Sequence, residues 1–383
     1  MDIKQLYKLF TDRFTTHPII VRSPGRINII GEHTDYNEGF VLPAAIDKAA
    51  YLAIALREDD TINLIAHDLD ESFDISINDI RPQDGINWPN YMLGVVTEFK
   101  KKGVVMKGFD AILHSDVPIG AGLSSSAALE CATAFALNEL LKTGFERITL
   151  VKMAQQAEHD YAGVKCGIMD QFASMMGKKD YLIKLDCRSL EYEYVPCLLE
   201  GYKILLLNTN VKHSLATSEY NTRRKECDQA VSWVKEQYPE VKSLRDVTEG
   251  MLNECVLPKD KLIDNRSRFV VQEINRLVQG CKDLQQNNFI GLGKKMFETH
   301  NGLSKMYAVS CKELDFLVDF VKDQDAVSGA RMMGGGFGGC TINLVKESAI
   351  DGLVASVKSA YEDAMKLPLT YYVTSIQNGT EIL

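Results

Sequence analysis

The sequence predicts an α+β fold in two lobes with a binding cleft between them. Three observations carry the prediction. The first half opens on many short aliphatic runs with strand character. The pattern changes near residues 195–200. Beyond that point, with extra helices set aside, the elements follow the order β-α-β-β-α-β, a split β-α-β arrangement. With 383 residues, the chain has room for two or three domains of about 100–200 residues, and the lobes are expected at 1–198 and 199–383.

Taken in order, residues 1–16 form an amphipathic helix, with Ile3, Leu6, Tyr7 and Phe10 at helical spacing. Short strands are expected at 19–23, 27–30, 40–42, 46–56, 61–67 and 71–78. A helix near 89–101 and a strand near 108–114 lead to a Gly/Ser loop and a long apolar helix, 124–142. Thr149 is the expected N-cap of a helix ending near Gly163. "YKILLLNT" reads as a buried strand, and three or more helical segments occupy 215–323. Two strands then flank a glycine loop at 334–339, and a helix (348–363) and a strand (369–375) close the chain.

Composition removes several functions. Hydrophobic content of 45% and charged content of 25% are those of an ordinary globular chain. A net charge of −9 speaks against a nucleic-acid binder, which needs clustered Lys and Arg. The nine cysteines are scattered singly with no C-x-x-C pair, which suits neither a disulfide framework nor a zinc site. Their odd number and the lack of a signal peptide favour a reducing cytoplasm. No apolar run approaches the ~18 residues of a membrane span, and no apolar helix seam suggests an oligomer, so a cytoplasmic monomer is expected.

Four stretches carry the chemistry. "GRINIIGEHTDYNEGFVLP" (25–43) places Arg26, Glu32, His33, Asp35 and Asn37 on a loop between two extended segments. A solvated hairpin tip would look similar, but this loop offers the donors, acceptors and charges that a polyhydroxylated ligand requires. "DVPIGAGLSSSAALE" (116–130) runs through Gly120 and Gly122 into a Ser-rich helix start. Backbone N–H groups from Leu123 through Ser124 and Ser125 to Ser126, with the helix dipole, make an anion site. Ser124 as a plain helix cap is the alternative. It is not a Walker A loop, because no lysine follows the glycines.

"MMGGGFGG" (332–339) formally matches G-x-G-x-x-G, but leads into the strand "CTINLV" rather than a helix, which excludes a dinucleotide fingerprint. It reads equally as a structural glycine turn or as a flexible hairpin whose backbone approaches a ligand. In "AQQAEHDYAGVKCGIMDQF" (154–172), Glu158 shares a helical face with Ala154 and Tyr161 and points to the apolar side. A carboxylate there needs a cation, either an internal salt-bridge partner or a metal. Asp170 follows Gly167 and could equally cap a helix, and His159 reads as a surface or satisfied histidine.

Together these stretches resemble the galactokinase branch of the GHMP small-molecule kinase superfamily. "GRINIIGEHTDYNEG" matches the galactokinase signature throughout, while "PIGAGLSSSAALE" and "GARMMGGGFGGCT" resemble the superfamily's phosphate loop and third motif. "CGIMDQ" and "NTNVKHSLATSEYNTRR" (208–224) are also similar to galactokinase segments. The resemblance implies a two-lobed GHMP kinase fold with the active site in the cleft. It implies ATP and Mg2+ as co-substrate and cofactor, and phosphorylation of D-galactose at its anomeric hydroxyl.

By the same resemblance, Arg26, Glu32, His33, Asp35, Gly167, Asp170 and Tyr220 contact the sugar, with Asp35 reading the axial 4-hydroxyl. Asp170 is the base, and Arg26 offsets charge between nucleophile and γ-phosphate. Ser126 and Glu158 bind magnesium, and Trp88 and Tyr91 line the adenine pocket. The phosphate loop (Gly120, Gly122, Leu123 to Ser126) and the hairpin (Gly335, Gly336) hold the phosphates. Met333 departs from the threonine usual before the glycines, which puts a hydroxyl contact there in doubt. Rival expectations are a kinase for N-acetylgalactosamine or galactosamine, a non-catalytic galactose and ATP sensor, and a decarboxylase of the same superfamily.

Overall fold

The computed structural model describes residues 1–211 and 216–383, so the segment 208–224 lies partly outside the described residues. Helix α1 (Ile3–Arg13) is shorter than the expected 1–16. Asp2 and Gln5 form a reciprocal capping box at its start, and Phe14 turns to extended backbone at its end. Leu6 and Phe10 are its buried residues and pack with Ile20, Ala53 and Ile112 of the first sheet.

The strands of the first half are β1 (Ile19–Asn28), β2 (Phe40–Val41), β3 (Pro43–Leu56), β4 (Thr61–Ala66), β5 (Glu71–Ser76) and β6 (Phe109–Ser115). The strands expected at 19–23 and 27–30 are one strand: Pro24 lacks an N–H, and a shift of register between Pro24 and Arg26 absorbs the lost ladder bond. Ile29 and Ile30 lie beyond its end. Helix α2 (Trp88–Lys101) lies between β5 and β6, and after β6 and the Gly/Ser loop come α3 (Ser125–Leu141), α4 (Arg147–Ala157) and α5 (Met169–Met176). Helix α3 is buried continuously from Ala127 to Asn138, as a helix apolar on every side must be. Thr149 is not the N-cap of α4. The helix already begins at Arg147, and the Thr149 N–H bonds the Glu146 carbonyl inside its first turn.

No element was expected between 177 and 200, yet β7 (Tyr181–Asp186) and β8 (Tyr192–Pro196) pair there and with β2. The second half holds β9 (Tyr202–Asn208), then helices α6 (Ala216–Lys235), α7 (Glu249–Met251), α8 (Lys261–Gln285), α9 (Phe289–Lys305) and α10 (Lys312–Val321). Strands β10 (Val327–Met332) and β11 (Cys340–Lys346), helix α11 (Ile350–Met365) and strand β12 (Thr370–Thr374) follow. Their sheet has the antiparallel order β10-β11-β9-β12, which realises the split β-α-β order. A last strand, β13 (Glu381–Ile382), returns to the first sheet, whose order is β13-β1-β3-β6-β4-β5.

One buried cation ties the two sheets. Arg331, on β10, is fully buried. Its guanidinium donates to the carbonyls of Ile29 (2.8 Å), Met332 (2.6 Å) and Asn28, and lies 3.3 Å from the Glu32 carboxylate. Glu32 is 1% exposed and has no other cation partner among the described residues. Removing one member of such a pair leaves a bare buried charge, which costs about 3–5 kcal/mol. Arg331→Leu is therefore expected to lower unfolding stability by that amount in urea titration. A loss below about 1 kcal/mol, the worth of a single hydrogen bond, would mean the pair carries little of the join.

Candidate active site

The polar loop after β1 is not a solvated tip. Gly31 (φ +90°) turns the chain where a Cβ would lie 2.4 Å from Leu277 and 2.7 Å from the Phe40 carbonyl, so only glycine fits. Thr34 Oγ1 closes the loop on the Gly31 and Phe40 carbonyls at 3.0 and 2.6 Å. Glu32 accepts from Asn28 Nδ2 and from the Gly334 N–H, both at 2.7 Å. His33 is buried with Nδ1 on the Tyr36 hydroxyl and Nε2 unpartnered among the described residues. No side-chain donor reaches Asp35 among the described residues. Its Oδ2 lies 1.7 Å from where a Cβ on Gly167 would stand. Gly167 is thus a glycine because Asp35 needs the space.

The Gly/Ser loop lies against β1, with the Arg26 N–H on the Leu123 carbonyl at 3.1 Å. Ser124 is in the left-handed region (φ 60°, ψ 51°) and makes no capping bond. Its hydroxyl instead donates to Asp170 Oδ2 at 2.5 Å, so the plain-cap alternative falls away. The glycine hairpin packs backbone to backbone on this loop: a Cβ on Gly339 would meet Ala121 at 3.2 Å, and one on Gly122 the Met333 carbonyl at 3.3 Å. The Met333 side chain is buried in the core, with Sδ accepting the Asn28 N–H at 3.4 Å, so it offers the cavity no polar contact.

Asp170, in the first turn of α5, faces Arg26 in a two-pronged pair, Nε and Nη2 each 2.8 Å from one carboxylate oxygen. Arg26 Nη1 also donates to the Gly122 carbonyl. Nearby, α4 widens at Glu158–Ala162 into a turn that aims Glu158 inward. Glu158 accepts from Ser126 Oγ (3.2 Å), Cys166 Sγ (3.3 Å) and Gln171 Nε2 (2.6 Å). It has no salt-bridge partner among the described residues, which removes the internal salt-bridge reading. Gln171 Nε2 also donates to Glu130, fully buried, at 3.0 Å. Burial, with Asp170 adding repulsion, pushes Glu158 up to about 7. His159 is satisfied by the Cys166 carbonyl at 2.8 Å.

These residues line two cavities. One, of about 300 Å³, brings together Arg26, Glu32, His33, Asp35, Gly167, Asp170 and Tyr220 with Gly120 and Gly122, Leu123 to Ser126, Glu158, Gly335 and Gly336. The second, about 590 Å³ and mainly apolar, is walled by Trp88 and Tyr91, and the two meet at Ser125 and Ser126. Trp88 Nε1 is held by Glu71 at 2.7 Å. Sequence reasoning missed Glu71, Glu130, Gln171 and Arg331. Gln171 adjoins Asp170 in the chain; the others carry no local signal, since their partners lie 17 or more residues away.

Comparison with known proteins follows this geometry. Residues 8–56 match the galactokinase galactose-binding signature, 90–178 the GHMP kinases N terminal domain and 282–363 the GHMP kinases C terminal domain. A galactokinase of Thermotoga neapolitana is 42% identical over 361 residues, 94% of this chain and 99% of that one. One of Clostridium acetobutylicum is 38% identical over 387 residues, covering 99% and 98%. The crystal structure of Lactococcus lactis galactokinase complexed with galactose superposes with a TM-score of 0.95 at 34% identity, covering all of both chains. A Methanococcus jannaschii mevalonate kinase shares the fold (TM-score 0.65, 21% identity, 94% and 99% covered).

Buried carboxylates give the cavity an electrostatic cost. Burial, with repulsion from Asp170, pushes Asp35 up to about 7. An unfolded aspartate titrates near 4, so the folded state holds this proton more tightly and loses stability as pH rises from about 4 to 7. Asp35→Asn is expected to raise the melting temperature at pH 8 and to leave it almost unchanged at pH 4. Thermal melts of the ligand-free protein across this range test it, and a lower melting temperature at pH 8 would count against the assignment.

Proposed function

The chain belongs to the galactokinase family of the GHMP kinases, and on that premise we propose that its two joined cavities seat galactose and ATP around Asp170. The reaction is ATP-dependent phosphorylation of D-galactose at the anomeric hydroxyl, giving galactose 1-phosphate. One observation carries the residue assignment: the Asp170–Arg26 pair stands in the cavity formed by the sugar loop and the start of α3.

Galactose occupies the smaller cavity. Glu32, His33, Asp35 and Tyr220 surround it, Gly167 leaves room for Asp35, and Asp35 pairs with the axial 4-hydroxyl. A buried acceptor deprived of its donor costs about 1–3 kcal/mol, which lets the site reject the epimer. The adenine end of ATP lies in the larger cavity against Trp88 and Tyr91. Its phosphates reach the N–H groups at the start of α3, where the helix dipole favours anions. Gly335 and Gly336 close over them from the hairpin.

Asp170 takes the proton from the 1-hydroxyl as its oxygen bonds the γ-phosphorus and the bond to the ADP oxygen breaks. Three donors, two from Arg26 and one from Ser124, hold the carboxylate in line. Arg26 sets a fixed positive charge beside the developing negative one. Phosphoryl transfer asks a protein mainly for positioning and electrostatics of this kind.

Ser126 and Glu158 would hold magnesium. They fit it: Glu158 is a buried carboxylate without a cation partner among the described residues, and magnesium takes few protein oxygens alongside phosphates and water. A cation held there would supply positive charge to offset the phosphates. The intact Asp170–Arg26 pair supports a catalyst over a sensor. A cytoplasmic monomer divided into lobes at 198/199 completes the proposal. Among the described residues, no helix is long and apolar enough to cross a membrane.

Two substitutions separate the roles. Asp170→Asn keeps shape and hydrogen bonding but cannot accept the proton, so turnover falls about 10²–10⁴-fold while calorimetry still detects both substrates. Arg26→Lys hurts less, since it keeps the charge without the planar fork. Near wild-type ADP release from Asp170→Asn would make Asp170 structural. Glu158→Gln raises the magnesium concentration needed for half-maximal rate, and it should also stabilise the ligand-free protein, because a costly buried carboxylate is gone. An unchanged magnesium requirement would remove Glu158 from the metal site.

A further inference from the structure

The mechanism leaves one group of buried polar side chains unused. Behind the sugar loop, His33 Nδ1 lies 2.8 Å from the Tyr36 hydroxyl. That hydroxyl is 2.7 Å from the Tyr307 hydroxyl, which lies 3.3 Å from Cys227 Sγ. On the ring's other side, Nε2 has no hydrogen-bond partner among the described residues, although His33 is only 5% exposed and lines the sugar cavity. The rings of Tyr36 and Tyr307 pack around the imidazole, with centroids 5.9 and 4.9 Å away.

Resting on the galactose reading, we propose that Tyr36 and Tyr307 are positioning residues that lock His33 as the neutral Nε2–H tautomer, so that His33 donates to a hydroxyl oxygen of the sugar. Each phenol carries one proton, so the donor at one end sets the direction of the whole chain. In one direction Cys227 donates to Tyr307, Tyr307 to Tyr36, and Tyr36 to Nδ1. In the other, Nδ1–H donates to Tyr36 and the chain ends on sulfur as acceptor.

Two features select the first direction. It ends in a bond from a phenol to an imidazole nitrogen, a better donor and acceptor match than imidazole N–H to phenol oxygen. Asn37 Nδ2 already donates to Cys227 Sγ at 3.7 Å, which leaves the thiol hydrogen for Tyr307. Protonation does not compete: burial above all, with Arg223 and Arg331 opposing the pull of Glu32, lowers the imidazole to about 4. An otherwise orphaned N–H thus aims into the cavity until a sugar oxygen accepts it.

Histidine ¹⁵N NMR of the ligand-free protein reads the tautomer directly, with His33 assigned by the signal lost in His33→Gln. Wild type should show Nε2 protonated and Nδ1 bare. Tyr36→Phe removes the donor to Nδ1, so the tautomer mixes or reverses. Galactose KM then rises about five- to tenfold, the worth of one hydrogen bond, while kcat stays within about twofold. Tyr307→Phe moves the tautomer the same way and replaces Tyr36→Phe if that protein does not fold. Nδ1–H in wild type overturns the proposal, as does a Tyr36→Phe protein with wild-type tautomer and KM. The tautomer is read without sugar, so failure of wild type to phosphorylate galactose would refute the substrate and not the relay.

Discussion

Arg331 sits where no solvent reaches it, and every group around it exists to justify its charge. It holds the carbonyls at the end of β1 and the carboxylate of Glu32, and Glu32 in turn holds the Gly334 N–H of the glycine hairpin. A buried ion pair is tolerable only when all its donors and acceptors are met. This one meets them by joining segments 299 residues apart in the chain. The sugar loop and the hairpin therefore have one relative position, and the cavity between them takes its shape from that constraint.

Charge within the cavity is deliberately out of balance. Asp35, Glu158 and Asp170 line it, Glu130 lies just beneath, and Arg26 is the cation that pairs directly with one of them. The cost shows in Asp35 and Glu158, both pushed up to about 7 by burial with Asp170 adding repulsion. In a protein of net charge −9, the start of α3 is where the helix dipole gives the cavity a local positive potential.

Close backbone approach is the second requirement, and it accounts for the glycines. The Gly/Ser loop and the hairpin touch main chain to main chain at Gly122 and Gly339, and Gly336 passes so near the Val309 carbonyl that a Cβ would stand 2.1 Å away. With side chains at these points the loops would separate and the cavity would open.

Much of this was legible in the chain by itself. The short aliphatic runs, the buried stretch of α3, the split β-α-β order and the polar loop after Gly31 are local patterns, and local backbone preference and hydrophobic period determine them. The signature residues likewise stand at fixed spacing within single loops. The strands expected at 19–23 and 27–30 are one because the pairing with β3 absorbs the N–H that Pro24 lacks as a shift of register. Strands β7 and β8 were invisible because they are partly exposed and carry charges, which blurs their alternation. Only the tertiary structure decided that Glu158 lacks a salt-bridge partner among the described residues, that Ser124 serves Asp170, that Gln171 clamps two carboxylates and that Arg331 lies under Glu32. Each of these depends on which atoms meet across tens or hundreds of residues, and burial makes such meetings matter by withdrawing the water that would otherwise satisfy them.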